Sequence, residues 1–153
     1  MSSSGLNGRK LAQVAIVVRD IEASKSRWAK LLGVDPPNTI HTQPGNEVNM
    51  VVRGAPANAT CKLAFFDLGN IQLELIEPDG QPSAWQEPLD ERGEGLHHIA
   101  FWVDDMQQAT DFLAAEGCPV GQRGDMGEGQ YVYVDAQAQL GTWIELLQHK
   151  RPG

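Results

Sequence analysis

The 153-residue chain carries 12 Lys plus Arg against 20 Asp plus Glu, a formal net charge of −8, with 41% hydrophobic and 21% charged residues. That length supports one domain with a real core, or two small fused halves, and no apolar run approaches the ~18 residues that a bilayer span needs. An acidic chain without a Lys/Arg stripe also lacks the electrostatic footprint of non-specific nucleic-acid binding, so neither membrane nor nucleic acid is expected as a partner.

The first ~9 residues, rich in Ser and Gly, are expected to form a disordered tail. No apolar core follows their charges, which argues against a signal peptide, and Cys61 and Cys118 have no close spacing. Each cysteine sits in or beside an apolar stretch and is expected to be buried, so a reducing cytoplasm fits best. Ala12 to Val18 then reads as a strand that runs into Asp20, a residue suited to cap a helix N-terminus. The helix that follows would turn Ile21, Trp28, Leu31 and Leu32 to one side and end at Gly33. An extra strand at about Glu47 to Val52 precedes two β-rich runs, Lys62 to Leu68 and Ile71 to Ile76, joined by the hairpin signal Gly69-Asn70. Residues 79–95, rich in Pro, Gly and acidic side chains, read as a linker with at most a helical turn, and Trp85 is its one large apolar residue.

The pattern then repeats. His97 to Val103 matches Ala12 to Val18 at an offset of 85 residues, and Asp105 matches Asp20. A second amphipathic stretch places Met106, Ala109, Phe112 and Leu113 on one side and ends at Gly117. Strands follow at Gln130 to Val134 and Thr142 to Leu147, joined by residues 135–141. The chain is thus two β-α-β-β-β units, about 10–78 and 96–148, forming a single α+β domain over residues 10–148.

Glu74 and Glu145 are equivalent in this repeat, and each lies in the middle of an apolar strand. A carboxylate in such a place must be paired, protonated or bound to a cation. Gln13 and His98 are equivalent too, each at the second position of the first strand of its half. Four polar side chains, two from each half, can therefore converge on the line between the halves. Three oxygen donors and one imidazole nitrogen suit a divalent ion with open water positions, not a closed thiolate site. Of the pair His97-His98, alternation makes one exposed and the other core-facing. His41 and His149 gain nothing from the symmetry and read as surface residues.

The segments LAQVAIVVRDIEAS, LGNIQLELIEP, GLHHIAFWVDDM and LGTWIELL resemble the vicinal oxygen chelate superfamily across about residues 10–148. That superfamily includes glyoxalase I, methylmalonyl-CoA epimerase, extradiol dioxygenases and the bleomycin and fosfomycin resistance proteins. The resemblance implies paired βαβββ modules forming a cupped, mostly antiparallel sheet. It places Gln13, Glu74, His98 and Glu145 on the ligand positions of one divalent metal ion (Zn, Co, Ni, Mn or Mg). It further implies a metal-dependent isomerase, epimerase or lyase in which Glu145 and Glu74 are the catalytic groups. The substrate would be a small molecule such as an acyl-CoA or 2-oxo compound, and the assembly a homodimer.

Several positions depart from the epimerase pattern. Gln13 stands where the epimerases and bacterial glyoxalases usually carry His, giving a Gln, Glu, His, Glu set similar to that of eukaryotic-type glyoxalase I. Pro78-Asp79 follow where glyoxalase I places an Asn for glutathione. Leu63 lies near the position of the epimerases' second catalytic Glu, leaving Glu47 or Lys62 to supply that group. Arg53, Lys62 and Arg123 are the cations available for an anionic acyl-CoA. The alternative from a different class is a non-catalytic binding protein of the resistance type, holding a drug or metabolite between walls formed by Phe65, Phe101, Trp102 and Trp143.

Overall fold

Nearly continuous apolar runs, broken by Gln13 in one half and by His97-His98 in the other, suit strands covered on both faces and so place the first strand of each half in the middle of the sheet. In a computed structural model, which describes residues 5, 6 and 8–149, these two strands are β1 (Leu11–Val17) and β7 (Gly95–Trp102), and they pair antiparallel. Each is followed by a helix capped by an aspartate. Asp20 accepts the Ala23 N–H at the start of α1 (Ile21–Leu32), and Asp105 accepts the Gln108 N–H at the start of α3 (Met106–Ala115).

The first half continues through the short strands β2 (Ile40–His41), β3 (Val51–Val52) and β4 (Ala55–Pro56) to β5 (Cys61–Asp67) and β6 (Gln72–Pro78). A helix α2 (Gln86–Arg92) joins it to the second half, which adds β8 (Val120–Met126), β9 (Gly129–Ala136), the one-turn helix α4 (Gln137–Leu140) and β10 (Thr142–Gln148). Among the described residues these strands form one ten-stranded sheet in the order β2-β5-β6-β1-β7-β10-β9-β8-β3-β4. The α+β class and the duplicated unit expected from the sequence are both present. No helix of the described residues is long and apolar enough to cross a membrane.

One face of the sheet is covered by helices. Ile16, Leu73 and Leu75 pack beneath α1 with Ile21 and Ala29, while Ile99, Phe101, Ile144 and Leu146 pack beneath α3 with Met106, Ala109 and Leu113. The other face is concave and carries Gln13, Glu74, His98 and Glu145 in its middle. Trp143, fully buried on this face, fits because Gly121 has no Cβ: one built there would stand 2.5 Å from the indole ring.

Three expectations need correction. Leu31 and Leu32 do not join the buried face of α1, since the i, i+4, i+8 row of Ile21, Lys25 and Ala29 is what meets the sheet. Leu31 lies off that row and is 73% exposed. The segment 47–52 is not one strand: a 3-10 turn spans Gly45–Glu47, Asn49 takes a positive φ of 52°, and only Val51–Val52 are extended. This β3 leaves its own half and pairs with β8 of the other, Val51 opposite Arg123. Finally, the connection 79–95 holds more than a helical turn: α2 runs over seven residues, and residues 83–85, 88 and 89 are buried while 79–82 and 90–92 are exposed.

Of the N-terminal tail, residues 1–4 and 7 lie outside the described residues. Leu6 packs against the second-half core, and the Gly5 carbonyl accepts a hydrogen bond from Gln108. Cys61 and Cys118 are buried free thiols, as the apolar flanks suggest.

Leu75→Ala should cost about 2–5 kcal/mol because it opens a cavity beneath α1, whereas Leu31→Ala should stay within about 0.5 kcal/mol. Urea unfolding of the two variants checks this assignment of the helix face.

Candidate metal centre

The register of the four central strands brings the site together. Ala15 of β1 lies opposite Glu74 on one side and His98 on the other, and Ala100 of β7 lies opposite Glu145 and Gln13. Both alanines are fully buried. Because neither side chain extends beyond Cβ, the four longer polar groups around them can lean inward and meet. The signal for this was present in the repeat, since Ala15 and Ala100 are themselves equivalent, although it is not apparent from the polar residues alone.

All four sequence-selected side chains converge and are buried. His98 Nε2 lies 3.2 Å from Glu145 Oε1, 3.5 Å from Glu74 Oε1 and 2.9 Å from the Gln13 amide oxygen. Glu74, His98 and Glu145 each offer a ligand atom within 4.8 Å of the others. The Gln13 amide has a different use in each sense. With its NH2 inward it donates to His98 Nε2 and to both carboxylates; with its oxygen inward it adds a fourth ligand atom. Burial, followed by the charge of Glu145, holds the Glu74 carboxyl well above the usual range. Oxygen and imidazole donors crowded together in an apolar sheet are a chemistry that a divalent cation fits.

His97 also enters the site, contrary to the alternation that made one histidine exposed. The β1–β7 register slips here: Ala15 faces His98 and Ile16 faces Leu96, so His97 is the extra residue of a β-bulge. Both imidazoles therefore point to the concave face and both are fully buried, with 2.7 Å between their Nδ1 atoms. Burial, followed by the proximity of His98, pushes the His97 pKa down to about 3, so this ring is neutral.

Above the cluster opens a cavity of about 430 Å³ with mainly apolar walls, including Val48, Met50, Leu63, Phe65, Trp102, Met126 and Leu147. Tyr131 and Tyr133 also line it. Their hydroxyls accept hydrogen bonds from Gln122 and Trp85, and burial raises both phenol pKa values. Two of the four expected aromatic walls, Phe65 and Trp102, are there. Phe101 packs instead under α3, and Trp143 lies behind the cavity, stacked on His97.

The candidates for a second base are elsewhere. Glu47 is exposed and Lys62 pairs with Glu77, neither lining the cavity, whereas Leu63 does. Arg53, Lys62 and Arg123 do not line it either. Arg53 is held by Glu87 and Asp135 and lies over the Trp143 ring. His149 is exposed as expected, but it stacks on the cavity wall Trp102, with ring centroids 3.8 Å apart.

Two fused βαβββ units cupping one buried carboxylate and imidazole cluster define a class of paired-module, open-sheet proteins. The Glyoxalase/Bleomycin resistance protein/Dioxygenase superfamily model matches residues 12–134, and the chain belongs to that superfamily. Over 112 residues it is 29% identical to the ethylmalonyl-CoA/methylmalonyl-CoA epimerase of Cereibacter sphaeroides, covering 72% of this chain and 73% of the relative. Its fold matches the crystal structure of methylmalonyl-CoA epimerase from Mycobacterium tuberculosis with a TM-score of 0.64 at 19% identity, covering 99% and 94% of the two chains. It also matches a variant of the Streptomyces coelicolor methylmalonyl-CoA epimerase in complex with 2-nitronate-propionyl-CoA, with a TM-score of 0.63 at 22% identity, covering 95% and 99%.

The segment that crosses to β8 walls the cavity with Val48 and Met50 and is pinned at two non-glycine residues with positive φ. Asn49 donates to Asp125 at 2.6 Å, and Arg53 forms its two ion pairs. Asn49→Val loses that hydrogen bond and places a β-branched residue at positive φ, lowering the cost of local opening by about 1–3 kcal/mol. Hydrogen exchange should then quicken across residues 48–57 and stay unchanged in β1 and β10.

Proposed function

We propose that the chain is a metal-dependent isomerase that moves a proton α to a carbonyl, with epimerisation of a small acyl-CoA thioester as its reaction. The observation that carries this reading is the pair Glu74 and Glu145. These are two buried carboxylates, one from each half, on either side of His98 and both at the floor of the cavity. The epimerase relatives and the acyl-CoA ligand of the Streptomyces enzyme support the choice of reaction and substrate.

Gln13, Glu74, His98 and Glu145 would hold one divalent ion from the Zn, Co, Ni, Mn or Mg group. When bound, it supplies Lewis-acid polarisation of the substrate carbonyl, which acidifies the neighbouring C–H. The protein groups do the rest. Each glutamate uses one oxygen toward the cluster and has a second available for proton transfer. Glu145, entering as the carboxylate, takes the α-proton from one face and leaves a planar enolate. Glu74, entering as the carboxylic acid, gives its own proton to the opposite face, so the two groups end with exchanged protonation states, ready for the reverse direction. With Glu47 and Lys62 outside the cavity, Glu74 is the group placed to serve the second face.

The apolar walls exclude water and receive the acyl end. The phosphates of a CoA ligand would lie beyond the lining, which contains no Lys or Arg among the described residues. All four site residues come from one chain, so a homodimer is not needed to complete the centre. The binding-protein reading accounts for Phe65 and Trp102 as walls but offers no reason to bury two carboxylates beneath them.

Metal-loaded protein in D2O should exchange the α-hydrogen of methylmalonyl-CoA and interconvert its epimers. Glu145→Gln and Glu74→Gln should each slow epimerisation by about 10²-fold or more. Full turnover by Glu145→Gln would remove it from the proposed role. Tight retention of the thioester without exchange would favour the binding protein.

A further inference from the structure

The bulge at His97 has a chemical consequence. His97 Nε2 lies 2.7 Å from the Ala84 carbonyl oxygen, which can only accept, so Nε2 carries the proton. Two ring nitrogens 2.7 Å apart share one proton, and His97, fully buried against the rings of Tyr133 and Trp143, already carries its own at Nε2, so its Nδ1 is the lone pair that faces His98 Nδ1. A lone pair at this distance calls for a donor. His98 Nδ1 must therefore carry the proton of its own ring, and His98 Nε2 is left bare toward Gln13, Glu74 and Glu145.

The anchor of this chain of hydrogen bonds is itself fixed. Ala84 is fully buried, its N–H donates to Gln122 Oε1 at 2.8 Å, and Gln122 in turn donates to Tyr131. His97 is also held sideways, stacked on Trp143 and edge-on to Tyr133. The other half has no such device. Its matching bulge falls at Ala12, whose side chain offers no acceptor, and Gln13 is held by Gln72 instead, its amide oxygen turned to Gln72 when its NH2 donates to the bare His98 Nε2.

We propose that His97 is a positioning residue, which accepts the Nδ1–H of His98 and so fixes the tautomer whose unprotonated Nε2 points into the cluster. The effect on metal affinity rests on the reading of the site given above, whereas the tautomer does not and can be read without metal.

The test uses the full chain, ¹⁵N-labelled and metal-free, with long-range ¹H–¹⁵N spectra of the imidazoles and a Zn²⁺ titration. Wild type should show His98 protonated at Nδ1 and bare at Nε2. His97→Phe, which removes the acceptor but keeps a ring between Tyr133 and Trp143, should allow the other tautomer and weaken Zn²⁺ binding about 10–100-fold. His97→Gln, whose side-chain oxygen can accept the same N–H, should restore much of both, and thermal melts establish that each variant is folded. A wild-type His98 protonated at Nε2 overturns the proposal whatever the variants do, as does an unchanged tautomer in folded His97→Phe. If the tautomer behaves as stated and Zn²⁺ affinity does not, the metal reading of the site fails and the positioning role stands.

Discussion

The constraint on which the structure turns is the burial of two carboxylates around an imidazole in the middle of a sheet. Desolvating a carboxylate costs several kcal/mol even after local relaxation, and two of them with a bare imidazole nitrogen concentrate acceptors at one point. The Gln13 amide, with two N–H groups for three acceptors, offsets only part of that cost. A cation offsets the rest, since a charge of about +2 balances both carboxylates and gives every inward lone pair a partner. The elevated pKa of Glu74 expresses the same tension in chemical form: burial and Glu145 resist a second negative charge.

The rest of the molecule can be understood as what holds those groups in place. Duplication supplies two of each kind of residue, and the antiparallel pairing of β1 with β7 sets the copies face to face. Ala15 and Ala100 leave the room in which the longer side chains meet. The copies then diverge where the site needs asymmetry. One bulge carries His97 and the other Ala12, so the two central ligand candidates are oriented by different means. The first half extends β3 and β4 across to β8, walling the cavity on one side only, and the segment before α2 contributes Ala84 behind His97 and Trp85 beside the tyrosines.

Much of this was legible in the sequence because period and symmetry are local signals. Strand alternation, Asp20 and Asp105 as caps, and Gly33 with its left-handed backbone announce the duplicated unit. Glu74 and Glu145 stand out because a strand with leucine and isoleucine on both sides has no ordinary use for a charge. What escaped depends on register or on long-range contact. A bulge shifts one residue in a strand whose alternation looks regular, so His97 could not be seen to share a face with His98. Lys62 and Leu63 point to opposite faces of β5, and only the register with β6, which sets Phe65 opposite Glu74, puts Leu63 on the cavity side. Trp85 lay in a segment whose composition resembles a linker, and its burial comes from tyrosines nearly fifty residues away. The crossing of Val51–Val52 to β8 rests on positive φ at Asn49 and Arg53, residues that carry only weak local signals for it.

The central claim, that this buried cluster is built for a divalent cation, is tested most directly by a Co²⁺ titration followed in the visible d–d bands. Saturation is expected at one equivalent, with a nitrogen and oxygen spectrum lacking thiolate charge transfer and with marked loss of that binding in Glu74→Gln. Saturable binding that is unchanged in Glu74→Gln, or no binding at all by folded wild-type protein, would contradict it.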